Sequence, residues 1–174
     1  MGVKILKKDF FKRPTLIVAK ELIGKYLVKK VDGKEMALMI TEVEAYDGPR
    51  DKASHASRGM TDRNAIMFAE GGYIYVYLCY GMYNMLNFVT GEKDYPAAIL
   101  IRGVEGFDGP GKLTRHLKID RSFNKMEICP KSGLWVEDRG EVIAKKDIIR
   151  TPRIGVDYAG EIWKNKPYRF VLKT

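Results

Sequence analysis

The stretch from Tyr73 to Val89 constrains the fold more than any other. Tyr73, Tyr75 and Tyr77 alternate with Ile74, Val76 and Leu78, the two-residue period of a β-strand. Tyr80-Gly81 interrupts the pattern and Tyr83 to Val89 resumes it, which predicts a tight hairpin. A second hairpin lies earlier. Tyr26 to Val31 and Lys34 to Val43 flank Asp32-Gly33, a pair suited to a type I′ turn. Its second arm runs on into Glu44-Ala45-Tyr46 and stops at the turn Asp47-Gly48-Pro49. Connections this short join antiparallel strands, because a parallel pair needs a long crossover.

The remaining segments fit around these hairpins. After Pro14-Thr15, the apolar residues Leu16, Ala19, Leu22 and Ile23 recur at helical spacing, and Gly24 supplies a stop. Arg50 to Gly72 is polar and reads as a loop with one short helix after Thr61, a good cap. Ala97 to Val104 is an apolar strand. Asp108-Gly109-Pro110 opens a helix reaching about Leu117, with proline well placed in its first turn. Leu134 to Val136, Val142 to Arg150, Arg153 to Val156 and Tyr168 to Leu172 read as strands. No repeat, linker or low-complexity tract divides the chain. The expectation is one α+β domain over residues 1–174 with a mostly antiparallel sheet.

Composition excludes several classes. The chain has 174 residues with 45% hydrophobic and 30% charged content, which fits a globular protein rather than a disordered one. No apolar run reaches the length of a spanning helix, and the N-terminus lacks a secretion signal, so no membrane association is expected. Met1-Gly2 begins like a myristoylation site, but Leu6 occupies the Ser/Thr position. Cys79 and Cys129 form no paired motif and do not cluster with the two histidines into a zinc site, so no metal is expected and both thiols are expected free in a reducing cytosol. Lys+Arg 31 against Asp+Glu 22 gives a net charge of +9, which points to a polyanionic partner, most commonly nucleic acid.

A few residues stand out as able to carry chemistry. Glu42 and Glu44 are two apart on one strand and share a face. A carboxylate at the end of a buried strand gains proton affinity and suits a general base; the same position also suits a solvated edge. His55 lies in the loop that follows, whereas His116 reads as a surface or packing residue. Tyr80 is out of phase with the tyrosine row and falls at the hairpin tip, either exposed as a wedge for nucleic acid or folded back on the core. Arg102 interrupts an apolar strand and calls for an acidic partner, with Glu42 and Glu44 the candidates, unless it faces outward. Gly109-Pro110-Gly111-Lys112 looks like a phosphate-cradling turn but lacks the spacing of a nucleotide-triphosphate loop.

Read together, several of these segments resemble the alkyladenine (3-methyladenine) DNA glycosylase family of the monofunctional, mammalian-type class. The resemblance is carried by Thr41-Glu42-Val43-Glu44-Ala45-Tyr46-Asp47-Gly48-Pro49, Ser54-His55, Arg63-Asn64, and the run from Tyr75 to Asn87 centred on Tyr80-Gly81-Met82-Tyr83. Leu100-Ile101-Arg102 and Gly109-Pro110-Gly111-Lys112-Leu113 complete it, so the similarity spans about Arg13 to Phe170. The sequence departs from the family pattern at Arg115-His116-Leu117 and at Phe123 to Glu127.

The resemblance implies a curved, partly barrel-like antiparallel sheet with short flanking helices. It implies a base-excision-repair enzyme that flips a damaged purine out of duplex DNA and hydrolyses its N-glycosidic bond. By that resemblance Glu44 activates the attacking water and Arg102 stands beside it. Tyr46, His55 and Tyr77 enclose the flipped base, and Asn87 restricts the guanine amino group. Tyr80 fills the gap in the duplex, with Met82 and Tyr83 nearby at the DNA surface. No cofactor is implied. The expected partner is double-stranded DNA containing damaged purines. The expected location is the cytoplasm, or the nucleoid in a prokaryote, and the expected state a monomer.

The chemistry is consistent with these residue types. Breaking a glycosidic bond passes through an oxocarbenium-like state that a carboxylate stabilises. A cationic alkylated base leaves without much acid help and is attracted to tyrosine faces. No lysine adjoins Glu44, so a Schiff-base lyase step is not expected. Two other readings compete: a metal-dependent nuclease using Glu42, Glu44, Asp47 and Asp51, and a non-catalytic nucleic-acid binder using the basic surface and the aromatic row.

Overall fold

The computed structural model describes residues 2–174. In chain order the elements are β1 (Lys4–Ile5), α1 (Lys8–Phe11), α2 (Thr15–Leu22), β2 (Tyr26–Val31), β3 (Lys34–Asp47), β4 (Ile74–Cys79) and β5 (Tyr83–Val89). There follow β6 (Ala97–Val104), β7 (Phe107–Asp108), α3 (Pro110–His116), β8 (Leu134–Asp138), β9 (Ile148–Thr151), α4 (Gly160–Lys164) and β10 (Arg169–Leu172). The strands form one open sheet in the order β1-β8-β2-β3-β6-β5-β4, with β10 bridging β3 to β9 and β7 lying against β6. Every pairing is antiparallel. The α+β architecture read from the sequence is the observed one.

Both hairpins form where turn chemistry places them. Asp32 and Gly33 have φ values of 51° and 80°, and Tyr80 and Gly81 have 52° and 64°, so each pair of central residues is left-handed. The Met82 N–H closes the second turn on the Cys79 carbonyl at 3.1 Å.

The central strand β3 decides what faces what. Its first half pairs with β2; its second half lies between β6 and β10, with Glu44 opposite Leu100 on one side and Arg169 on the other. A β-bulge between Ile40 and Val43 shifts the register against β6. It reverses the side-chain alternation. Before it, Met36, Leu38 and Ile40 face the main core; after it, Val43 and Ala45 do. Glu42, Glu44 and Tyr46 are thereby turned to the opposite face. Gly103 stands across from Glu42, and a Cβ there would lie 3.1 Å from Thr41 Oγ1 and 3.2 Å from Glu42 Cβ. Glycine thus allows the strands to approach at the bulge.

The core lies on one face of the sheet, where α2 packs on β3 and α3 on β5 and β6. Phe11, Leu22, Ile40, Phe88, Ile101, Leu113 and Phe170 are fully buried there. Burial of each such side chain is worth about 1.5–3 kcal/mol. The other face carries a smaller cluster of Met67, Tyr75, Val89 and Ala98. Among the described residues no helix is long and apolar enough to cross a membrane.

Three expectations need correction. Arg153 to Val156 is not a strand: Gly155 has φ 73°, and the Ile154 N–H is taken by a carboxylate instead of a ladder carbonyl. Of Val142 to Arg150, only Ile148 onward is a strand, β9. Val142 is exposed, Ile143 folds over Gly24, and Lys145–Asp147 is a 3₁₀ turn. The loop after Arg50 holds two 3₁₀ turns, His55–Arg58 and Ala65–Phe68, where one helix was expected; Ser54 caps the first. Thr61 and Asn64 bond each other's backbone N–H ahead of the second.

Candidate active site

The face opposite the core holds a cavity of about 500 Å³. Its floor is Glu44, brought there by the bulge and 0% exposed. Two hydrogen-bond donors and one nearby cation surround this carboxylate. The Tyr46 hydroxyl donates to Oε1 at 2.9 Å, the Ile154 N–H donates to Oε2 at 2.7 Å, and Arg102 Nη1 lies 3.8 Å from Oε1. Burial raises the proton affinity of Glu44 above the usual carboxylate range; Arg102, the Ile154 N–H and the Tyr46 hydroxyl oppose this without cancelling it.

Arg102 is itself oriented. Its Nε donates to Glu42 Oε1 at 3.1 Å, and Arg169 Nε donates to the same oxygen at 2.6 Å. Glu42 is thus the anchor of an arginine pair, while Glu44 remains open to the cavity. The two carboxylates sit on one face, yet their surroundings differ.

The walls are aromatic. Tyr46, His55, Tyr75 and Tyr77 line the cavity with Asn87. The His55 and Tyr77 rings meet edge-on with centroids 4.6 Å apart, and Tyr75 lies 5.3 Å from Tyr77. His55 Nδ1 and the Tyr75 hydroxyl share a hydrogen bond at 3.3 Å. His55 stands at the rim with one side open to solvent, yet the atoms packed around it lower its pKa, and Arg63 lowers it further. It is therefore neutral at pH 7, with one N–H donor and one acceptor. Burial raises the Tyr46 and Tyr77 phenol pKa values well above the ordinary one, so both are uncharged. Asn87 is buried, and its Nδ2 donates to the Tyr75 and Met85 carbonyls at 3.3 and 3.2 Å.

At the mouth, Tyr80 is 89% exposed, so the tip of the hairpin does not fold back. Met82 and Tyr83 lie outside the cavity on the same tip. Tyr83 rests on α3, where Gly111 leaves it room: a Cβ there would be 2.7 Å from the ring. The structure thus brings Glu44, Arg102, Tyr46, His55, Tyr77, Asn87 and Tyr80 to one cavity and places Met82 and Tyr83 beside it.

Other expected features lie elsewhere. His116 stacks on Phe107 with centroids 3.9 Å apart. Lys112 pairs with Asp108 in the first turn of α3. Both cysteines are free. Asp51 is bound to Arg153, and Asp47 accepts from the Tyr95 hydroxyl, so these two are already partnered. Among the described residues no group of three or more His, Cys, Asp or Glu is placed to hold a metal ion. A wider groove of about 1510 Å³ runs along the N-terminal segment, but it has no buried carboxylate; Glu21 and Asp138 there pair with Arg13 and Lys25.

Sequence reasoning missed Arg153, the Ile154 N–H, Arg169 and Tyr158, which also lines the cavity. Arg153 and Arg169 carried no local signal, because their partners are remote in sequence.

The profile of the methylpurine-DNA glycosylase family matches residues 9–109 and 106–174. The chain belongs to this family. A protein of Methanocella arvoryzae, provisionally named a 3-methyladenine DNA glycosylase, is 46% identical over 98% of this chain and 93% of its own length. Relatives with the same provisional name come from Sodalis glossinidius, 43% identical over 93% of this chain and 96% of the relative, and from Legionella pneumophila strain Corby, 41% identical over 97% and 94%. Members of a DNA glycosylase family act on DNA and hydrolyse N-glycosyl bonds. A buried carboxylate beneath a cavity with aromatic walls is chemically compatible with that reaction, whose transition state carries positive charge.

Proposed function

We propose that the chain removes alkylated purines from double-stranded DNA as a monofunctional N-glycosylase. The observation that carries the proposal is Glu44, fully buried at the floor of a tyrosine-walled cavity, hydrogen-bonded by the Tyr46 hydroxyl and the Ile154 N–H, with Arg102 3.8 Å away. The damaged nucleotide rotates out of the duplex, because its glycosidic bond is not accessible inside the stack. Tyr80, exposed at the hairpin tip, enters the gap it leaves, with Met82 and Tyr83 against the flanking DNA. Tyr46, His55 and Tyr77 enclose the base. A cationic alkylated purine gains roughly 0.5–2 kcal/mol from each well-placed tyrosine face. Asn87 is positioned to disfavour guanine's amino group.

At the sugar, the C1′–N bond breaks and the electron pair leaves with the base. Water attacks C1′, and its proton passes to Glu44. Arg102 Nη1 and Glu44 Oε1, 3.8 Å apart, attract without a direct hydrogen bond, so both retain capacity to hold that water. The products are free base and an abasic site. No lysine lines the cavity among the described residues, which supports hydrolysis without a Schiff-base step or strand cleavage. All of these residues come from one chain, so a monomer suffices, working wherever the genomic DNA lies. The net charge of +9 supplies the attraction to the phosphate backbone.

The test is base release, in EDTA, from duplexes holding a single N7-methylguanine, 3-methyladenine or hypoxanthine, scored after hot alkali. Wild type should release at least one base and Glu44→Gln none, with the mutant still binding the duplex. Release at wild-type rates by Glu44→Gln would remove Glu44 from the role of base; activity restored only by magnesium would favour the nuclease reading.

A further inference from the structure

One heavily anchored side chain does not line the cavity. Arg153 is fully buried and pairs in two-pronged fashion with Asp51: Nη1 donates to Oδ2 at 2.6 Å and Nη2 to Oδ1 at 2.9 Å. Nη1 also donates to the Ala45 carbonyl at 2.9 Å and Nη2 to the Trp163 carbonyl at 3.2 Å. The guanidinium lies 4.8 Å from the Tyr46 ring centroid and 5.1 Å from that of Tyr168. Its Nε has no partner. A buried ion pair of this kind is weak evidence for stability, because desolvating two charges offsets their attraction. Such a pair fixes geometry whatever its net contribution to stability.

What it fixes is next to it in sequence. The peptide after Arg153 gives the Ile154 N–H to Glu44 Oε2. The Asp51 carboxylate also accepts the N–H groups of Asp47 and Ala53 at 2.9 and 3.1 Å, which holds the loop leading to His55. One ion pair therefore ties three pieces of the cavity: the end of β3, the loop with His55, and the irregular segment crossing Glu44.

We infer that the Arg153–Asp51 pair is a positioning device for the catalytic carboxylate, aiming the Ile154 N–H at Glu44 Oε2 so that Oε1 faces the attacking water. The inference rests on the proposed function of Glu44. Arg153 touches no reacting atom; it acts through the backbone donor beside it. Glu44 is faced by Arg102 from β6, Tyr46 from β3, Tyr77 from β4, and Arg153 and Tyr158 from the C-terminal segment. Loosening the pair frees the Ile154 N–H beside Arg153 and the Tyr46 ring that the guanidinium covers, both of which serve Glu44. A hydrogen bond to the ionised form favours ionisation, so weakening it makes Glu44 harder to deprotonate.

Arg153→Lys keeps the charge but cannot make the two-pronged contact. Asp51→Glu keeps the pair but displaces it by one methylene, and serves if the first variant does not fold. Single-turnover release of N7-methylguanine is measured against pH, with active sites counted by binding to a duplex carrying a stable abasic analogue. The expected result is unchanged duplex affinity per folded molecule, a rate at least tenfold lower at pH 6, and an acid limb moved about one unit upward. An acid limb that stays in place, with activity falling only as the folded fraction falls, would overturn the positioning role and leave a merely structural pair. A wild-type enzyme that releases no methylated base sinks the proposed function instead, so the two failures are distinguishable.

Discussion

The Tyr46 hydroxyl donates to Glu44 Oε1 at 2.9 Å, two positions along the same strand. Strand alternation puts both side chains on one face, and the bulge between Ile40 and Val43 makes that face the cavity. Under the proposed function Tyr46 therefore has two separable roles, a ring for the base and a hydroxyl for the carboxylate. Tyr46→Phe removes only the second. Loss of one donor to the charged form should raise the Glu44 pKa, moving the acid limb of the pH–rate profile up by about one unit, roughly tenfold in rate below it. Substrate affinity should stay close to that of wild type. Single-turnover rates between pH 5 and pH 8, roughly the range where such a limb falls, check this; an unmoved limb would show that the hydroxyl does not act on Glu44.

The bulge itself gives a stability prediction. Gly103 leaves space for Thr41 and Glu42, whose atoms would sit 3.1 and 3.2 Å from a Cβ. Gly103→Val adds a branched side chain where the strands already touch. The expected cost is about 1–3 kcal/mol, with loss of activity because Glu42 and its arginine pair shift. Thermal unfolding checks it. A midpoint equal to wild type would show that the bulge absorbs the side chain.

Much of this arrangement was legible before the structure. The tyrosine alternation, the Asp32-Gly33 turn and the run into Glu44 are local signals, and each element formed where its own residues placed it. Arg102 was read either as facing outward or as needing Glu42 or Glu44, and it engages both carboxylates. Arg153 was misread because its pattern, Arg-Ile-Gly-Val, alternates like a strand. Its partner Asp51 lies 102 positions away, and the Ile154 N–H binds a carboxylate 110 positions away. Bonds of that separation leave no trace in a local period. The reversal of faces at Thr41 was equally hidden, since a bulge adds one residue without changing composition.

Glu44 should carry a stability cost. Its folded pKa is raised, chiefly by burial. Below its unfolded value, 4.5, the group is protonated in both states and costs nothing. As pH rises from there through the folded pKa, the folded state must ionise a buried group and stability falls. Glu44→Gln should therefore be more stable than wild type at pH 7 by on the order of 1 kcal/mol, with the difference vanishing at low pH. Thermal midpoints of both proteins at about pH 4 and pH 7 test this, two conditions chosen below and above the raised titration. A mutant less stable at neutral pH would mean that Arg102, Tyr46 and the Ile154 N–H together outweigh burial.

Tyr80 offers a cleaner separation of folding from function. It is 89% exposed and left-handed, with φ 52°. Neither property favours folding: the ring buries little, and a bulky residue in this region costs roughly 1–3 kcal/mol. Asparagine tolerates the same backbone far better. Tyr80→Asn should therefore keep or raise the thermal midpoint while weakening base flipping, because nothing then fills the space left by the extruded nucleotide. The effect should be larger for hypoxanthine, which is paired and uncharged, than for a cationic methylated purine. Fluorescence of 2-aminopurine beside the lesion reads flipping directly, and single-turnover release reads its consequence. A variant that melts later than wild type but flips equally well would leave the exposure and strain of Tyr80 without a function, and would move the wedge to Met82 on the same tip.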